Sequence, residues 1–247
     1  MHHQTLKLLF IRHAESTGNR EKRMQGHGDF GLTEMGQKQA ESLARRLLAE
    51  AWIPSHVYTS PLKRAVQTAQ ILLEPFLADA PPAVVSDPTE GKLSATDDSE
   101  NQPKAIPVLS ADELTEFQNG IFQGLTWAEA GERYPELCQQ LEASPDWIQI
   151  PEAESLDDAR ARARRFVQML LSQHLEGGRI WIITHGWILQ HLVAELLGCD
   201  RSWRFRSENT AIFEFWIDQS RWHRLDQHRL NTDLWQIRRF NDYRHLS

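Results

Sequence analysis

Hydrophobic positions along the chain follow two rhythms. Short unbroken apolar runs alternate with longer stretches in which apolar residues recur every three or four positions. LKLLFI at 6–11 is brief, apolar and followed by a polar loop, which predicts a buried strand. HVYTS at 56–60 and GGRIWIITHG at 177–186 predict two more, and IPVLSADEL at 106–114 a shorter extended piece. Between them, 32–52 carries Ala40, Leu43, Ala44, Leu47 and Leu48 on one helical face, with Thr33 as N-cap. The stretch 61–76 predicts a helix with Pro61 in its first turn. A third helix covers 155–175, where Ser155 and Asp158 make a capping-box-like start, and a fourth covers 187–198, closed by Gly198. AIFEFWID at 211–218 and RWHRLDQH at 221–228 read as a hairpin, and the tail beyond has no clear rhythm.

Strands alternating with helices predict an α/β fold: a mostly parallel central sheet with helices on both faces, in a single domain over 1–247. The segment 79–107 breaks the pattern. It is rich in Pro, Ser, Asp and Glu and poor in large apolar residues, which predicts a mobile insertion rather than a boundary. In such sheets ligands bind beyond the carboxyl ends of the strands. Two predicted strands run into His13 and His185, and a third ends at Ser60, four residues before Arg64. These groups are expected on one rim.

The overall charge narrows the partners. A formal net charge of -7 disfavours nucleic acid, which needs a basic face. It leaves room for a small phosphorylated substrate met by a local cluster of arginines. Cys138 and Cys199 make neither a disulfide framework nor a zinc spacing, and no histidine spacing suggests a metal site. The N-terminal apolar run is too short for a signal peptide, and no stretch approaches a membrane span. The expectation is a cytoplasmic protein without a membrane partner.

The chemistry sits in four short motifs. They are Arg12-His13, Ser60-Pro61-Leu62-Lys63-Arg64, Leu114-Thr115-Glu116 and Thr184-His185-Gly186, in that order. Between the first two lies DFGLTEMGQKQA at 29–40, of the pattern D-x-x-L-T-x-x-G-x-x-Q-A. Together they resemble the histidine phosphatase superfamily, also called phosphoglycerate mutase-like, from residue 6 to about residue 215. The resemblance implies that His13 is a nucleophile, transiently phosphorylated, with its tautomer fixed by an acceptor on the other ring nitrogen. It implies that Arg12, Arg64 and His185 surround the phosphoryl group as three positive donors. Glu116 becomes the proton donor to the leaving oxygen, with Glu113 one turn away as the alternative. Asn19 matches a phosphate-contacting position; Ser16, Gln25 and Gly26 match positions lining the substrate mouth. Gly186 opens a helix, so that a bound anion would face helix N–H groups. No metal or other cofactor is implied, because the arginines supply the positive charge.

One position departs from the family pattern. Arg-His-Gly is usual there, and this chain has Ala14, which keeps the carbonyl needed to fix the tautomer. Three functions follow. The first is a phosphomonoesterase, in which water attacks the phosphohistidine. The second is a cofactor-dependent phosphoglycerate mutase, and the third a non-catalytic phosphate-binding protein. Gly18, where mutases of the family carry Trp, and the short segment after Glu116 favour the phosphatase branch. The arginines of ARARARRF at 159–166 read as a solvated helix face. The nine tryptophans read as packing, with Trp127 and Trp187 as residues able to flank the pocket, and His27 lies near the mouth.

Overall fold

Strand β1 (Thr5–Arg12) is the axis of the fold. It pairs in parallel with β5 (Gly178–Thr184) on one side and antiparallel with β6 (Ile212–Asp218) on the other. The structure, a computed structural model, describes residues 5–77, 85–86, 105–218 and 235–247. Within them β2 (His56–Thr59), β3 (Val85–Ser86), β4 (Val108–Ser110) and β7 (Trp235–Asp242) complete one seven-stranded sheet. Its order is β3-β4-β2-β5-β1-β6-β7. The pairs from β3 to β1 are parallel, and the pairs made by β6 are antiparallel.

The unbroken apolar runs follow from burial on both faces. Leu8 and Phe10 of β1, with Ile180 and Ile182 of β5, join α6 (Leu156–Gln173) and α7 (Gly186–Leu196) in one core. The alternate residues Leu9, Ile11, Trp181 and Ile183 join α2 (Glu34–Ala49) and α3 (Lys63–Leu73) in a second core. Each fully buried Leu, Ile or Phe contributes about 1.5–3 kcal/mol. The strands therefore cannot slip by one residue without exchanging two packed sets. The expected caps are present: the Thr33 side chain accepts from the Gly36 amide, and that of Ser155 from the Asp158 amide. Gly198 takes a positive φ of 64° just past α7, and the Cys199 amide reaches back to the Ala194 carbonyl.

Three expectations change. Pro61 precedes α3 instead of opening it; the cap is Leu62, whose amide donates to the Ser60 hydroxyl at 3.2 Å. Pro75 ends that helix early, because a ring without an N–H is accommodated in the short turn Glu74–Phe76. The tail forms a full edge strand, β7, antiparallel to β6. The expected partner strand at 221–228 lies outside the described residues, as does most of the expected insertion at 79–107. Of that insertion, Val85–Ser86 is the outermost strand of the sheet. The described residues also form three short α-helices: α1 (Thr17–Arg20), α4 (Trp127–Arg133) and α5 (Pro135–Ala143).

Ion pairs and aromatic contacts anchor β7, whose Phe240 packs on Phe213 and Phe205 with ring centroids 4.9 Å away from each. Arg46 of α2 grips Asp242 with two bonds of 3.0 and 2.6 Å, and Arg239 pairs with the buried Glu214 at 2.8 Å. Burial opposes the charge on Asp242. Bonds from Arg244 and Arg46 outweigh it and hold the carboxyl well below its ordinary 3.8. A carboxyl depressed in the folded state stabilises above its unfolded pKa and loses that contribution as pH falls. The window is therefore below about pH 4. Asp242→Asn should lower the melting temperature at pH 7 and flatten its decline below pH 4, measured by circular dichroism melts across pH.

Candidate active site

His13 begins where β1 runs out. Its amide still donates to the Thr184 carbonyl at 2.9 Å, so the ring is held against the end of β5. Its Nδ1 lies 2.7 Å from the Ala14 carbonyl oxygen. A carbonyl only accepts, so Nδ1 carries the proton and Nε2 keeps a lone pair. Burial, then Arg64 and Arg12, push this histidine well below 6.5, which keeps it neutral. Ala14 serves without strain: its φ is not positive, and its amide donates to the Thr68 hydroxyl at 3.0 Å.

Arg64, on the first turn of α3, is 1% exposed. Its Nη2 donates to the Gly26 carbonyl at 2.8 Å and its Nη1 to the Gly28 carbonyl at 3.1 Å. Its Nε donates to Nδ1 of His185 at 3.2 Å. Burial lowers its pKa to about 10, which leaves it charged at neutral pH. Because a guanidinium always donates, His185 Nδ1 must accept, and its proton sits on Nε2 facing the Ser60 hydroxyl at 2.8 Å. His185 is thus neutral, and burial followed by Arg64 lowers its pKa well below 6.5. This corrects the expectation of three positive donors: the cluster has two arginines linked by a neutral imidazole. The rings of His13 and His185 lie 5.0 Å apart.

Arg12 donates through Nη1 to the Ser207 carbonyl. Its Nε is buried and has no partner among the described residues. Burial lowers the Arg12 pKa, and Glu116 and Glu208 counter that. A buried, unpartnered N–H costs about 1–3 kcal/mol, so it marks a place where an acceptor belongs.

Glu116 turns its carboxylate toward α7. Its Oε1 accepts the amides of Phe117 at 2.9 Å, Trp187 at 3.1 Å and Ile188 at 3.2 Å. The carboxylate therefore occupies the N-terminus of α7, whereas Glu113 offers its backbone carbonyl to Arg162 at 2.8 Å. This is a second correction. The anion facing the amides of α7 is Glu116 itself, with Gly186 one residue before the first of them. His27 Nε2 donates to the Glu116 carbonyl at 2.8 Å, so it braces the loop.

The mouth residues divide. Asn19 accepts from Asn209 Nδ2 at 3.2 Å, and Asn209 also donates to the His13 carbonyl at 2.9 Å. Gly26 takes a positive φ of 47°, which turns its carbonyl onto Arg64. Ser16 differs from expectation. It is fully buried, caps α1 and donates to the Gln25 side chain at 2.6 Å, so it shapes the loop instead of lining the mouth. Trp127 packs edge-on against Phe122, a residue of a satellite core. Sequence reasoning missed Thr68, Ser207 and Asn209, and it misread Arg162. That arginine is buried against the Glu116 loop instead of solvated.

The D-x-x-L-T-x-x-G-x-x-Q-A run acquires a physical meaning. Its Thr33 amide donates to the Glu15 carbonyl at 3.0 Å, and its Gln39 accepts the Glu15 amide at 2.9 Å. A Cβ on Gly36 would lie 2.0 Å from the Glu15 carbonyl oxygen. The run clamps Glu15, the second residue after His13.

A family model described as "Histidine phosphatase superfamily (branch 1)" matches residues 8–85 and 96–228. The chain belongs to the histidine phosphatase superfamily. It is 33% identical over 187 residues to phosphoglycerate mutase-like protein 4 of Arabidopsis thaliana, covering 75% of this chain and 69% of that protein. It is 26% identical to the metal-independent phosphoserine phosphatase of the same plant, covering 99% and 84%. The solved structure of Bacillus stearothermophilus YhfR superposes with a TM-score of 0.71 at 25% identity, covering 98% and 100%.

Within this histidine phosphatase the Glu15 clamp is testable through its glycine. Gly36→Ala should cost about 1–3 kcal/mol through overpacking against backbone, read as a drop of about 2–4 °C per kcal/mol in melting temperature. Gly131 sits in α4 with nothing within 4 Å of an added Cβ. Gly131→Ala should therefore raise stability slightly, by up to about 1 kcal/mol.

Proposed function

We propose that this chain is a metal-independent phosphomonoesterase that works through a phosphohistidine on a small phosphorylated metabolite. The observation that carries the reading is His13, fixed as a neutral imidazole with its Nε2 lone pair, beside the unpartnered buried Nε of Arg12. A nucleophile and an unsatisfied cationic donor at one place call for an electrophilic anion, and a phosphoryl group is both. The His13 Nε2–phosphorus bond forms as the bond to the leaving oxygen breaks. Glu116, in its acid form, gives that oxygen a proton. Water then attacks phosphorus, Glu116 takes its proton, and the Nε2–phosphorus bond breaks to release phosphate. Arg12 and Arg64 carry the charge of the transition state, Asn19 contacts the phosphate, and Gln25, Gly26 and Gly186 shape its surroundings.

Relatives named phosphoserine phosphatase support the hydrolytic reading. Gly18 supports it as well: a Cβ there would lie 2.5 Å from the Gln25 side chain, so the position does not accommodate a tryptophan without moving Gln25. Two unpaired cysteines fit a reducing cytoplasm, which we propose as the location. Among the described residues no helix is long and apolar enough to cross a membrane.

The test incubates chelator-treated protein with p-nitrophenyl phosphate, and separately with 3-phosphoglycerate plus its bisphosphate primer. Phosphate release that falls about 10⁴-fold in His13→Ala supports the proposal. Isomerisation of phosphoglycerate faster than phosphate release would replace it with a mutase. Binding of phosphate without turnover would replace it with a binding protein. Glu116→Gln should lose about 10²–10⁴-fold with an alkyl phosphate, whose leaving oxygen needs a proton, and far less with p-nitrophenyl phosphate.

A further inference from the structure

The acid of the proposed reaction is bracketed by aromatic residues. Phe117 follows Glu116 in the chain, and Trp187 supplies an amide to the Glu116 carboxylate. Their ring centroids lie 5.6 Å apart. Trp147, from the loop after α5, closes a triangle at 5.9 Å from Phe117 and 6.1 Å from Trp187. Phe117 is 3% exposed, yet Trp147 and Trp187 stand 42% and 46% exposed. Covering one phenylalanine does not require two indoles that leave nearly half their surface in water. Such rings offer a flat partner stacking area at low entropic cost.

A general acid must reach the leaving oxygen within about 2.6–3.2 Å. The group attached to that oxygen therefore starts one bond from the Glu116 carboxylate, and the residues flanking that carboxylate are Phe117 and Trp187. We propose that Trp147 and Trp187, resting on Phe117, form the leaving-group subsite. The preferred substrates are then phosphomonoesters whose alcohol carries a flat apolar or aromatic group. This rests on the role given to Glu116 above.

Benzyl phosphate and O-phosphoserine both leave as alkyl alcohols, so their comparison isolates the attached group. The wild type should favour benzyl phosphate about tenfold in kcat/KM. That preference should collapse in Trp147→Ala and Trp187→Leu, mainly through a higher KM for benzyl phosphate. An equal preference in wild type and variants would overturn the subsite. Binding is measured separately with benzylphosphonate and methylphosphonate, neither of which is hydrolysed. A benzylphosphonate Kd about tenfold lower, lost in Trp147→Ala, supports the subsite even where turnover fails. Equal Kd values overturn it. Absent turnover with that binding difference intact overturns the phosphatase reading alone.

Arg162 of α6 carries a second, separate inference. Its Nη1 donates to the carbonyls of Glu113 at 2.8 Å and Thr115 at 2.7 Å, and its Nη2 to the carbonyl of Glu116 at 3.3 Å. Glu154 holds the same guanidinium with two bonds of 2.6 and 2.7 Å. We infer that Arg162 and Glu154 are positioning residues that set the backbone from which the acid projects. Glu154→Gln and Arg162→Lys should lower kcat for O-phosphoserine about tenfold or more and kcat for p-nitrophenyl phosphate less than about threefold, because a misplaced acid matters only where the leaving oxygen needs its proton. A purely structural role would lower both in proportion to the folded fraction, and that result, or no loss with either substrate, would overturn the inference.

Discussion

Burying a guanidinium is the constraint on which the site depends. A charge taken from water costs several kcal/mol unless its N–H groups find acceptors. Among the described residues Arg64 makes no salt bridge to a carboxylate. It is satisfied by two loop carbonyls, of Gly26 and Gly28, and by one imidazole nitrogen. Those acceptors come from separate parts of the chain. The loop after α1 must turn its carbonyls inward, which Gly26 permits through its positive φ. The end of β5 must present His185 as an acceptor. One side chain thus ties loop, sheet rim and α3 together.

The same bonds set the protonation states. Donation from Arg64 into His185 leaves that ring neutral, and its remaining proton goes to Ser60. The Ala14 carbonyl takes the Nδ1 proton of His13. His185 is therefore neutral for a geometric reason, whereas in His13 the geometry places the Nδ1 proton and burial beside two arginines keeps the ring neutral. A nucleophilic imidazole needs a lone pair, while a phosphoryl acceptor needs positive charge. Assigning the first to histidine and the second to arginine separates demands that one residue type could not meet together.

Much of this was legible in the chain because local patterns and motif spacing point to the same rim. Apolar runs two faces deep marked β1 and β5, whose ends gave Arg12, His13 and His185, and the end of the short run at β2 gave Arg64 four residues on. Strand β7 was illegible because much of its hold is ionic, through Arg46–Asp242 and Arg239–Glu214, and such pairing, nearly 200 positions apart in the first case, leaves no period. Arg162 was misread for a related reason. Helical spacing says which face a residue occupies, not whether carbonyls wait opposite that face. Ser16 matched a family position, yet its hydroxyl is used by the loop's own turn.

Helix α7 shows how an ordinary rule can be met by an unexpected partner. A helix N-terminus after a histidine predicts a bound anion, because its first amides lack partners and its dipole is positive there. The amides of Trp187 and Ile188 do hold an anion, the Glu116 carboxylate. In the proposed reaction the phosphoryl group would be left to Arg12 and Arg64, and the helix end would aim the acid. That division has a geometric benefit. His185 caps α7 and accepts from Arg64, while the amides of the helix's first turn hold Glu116. One rigid helix end therefore fixes both the arginine that would meet the transferred group and the carboxyl that would meet the leaving oxygen. Their separation is set by backbone, not by two independently mobile loops.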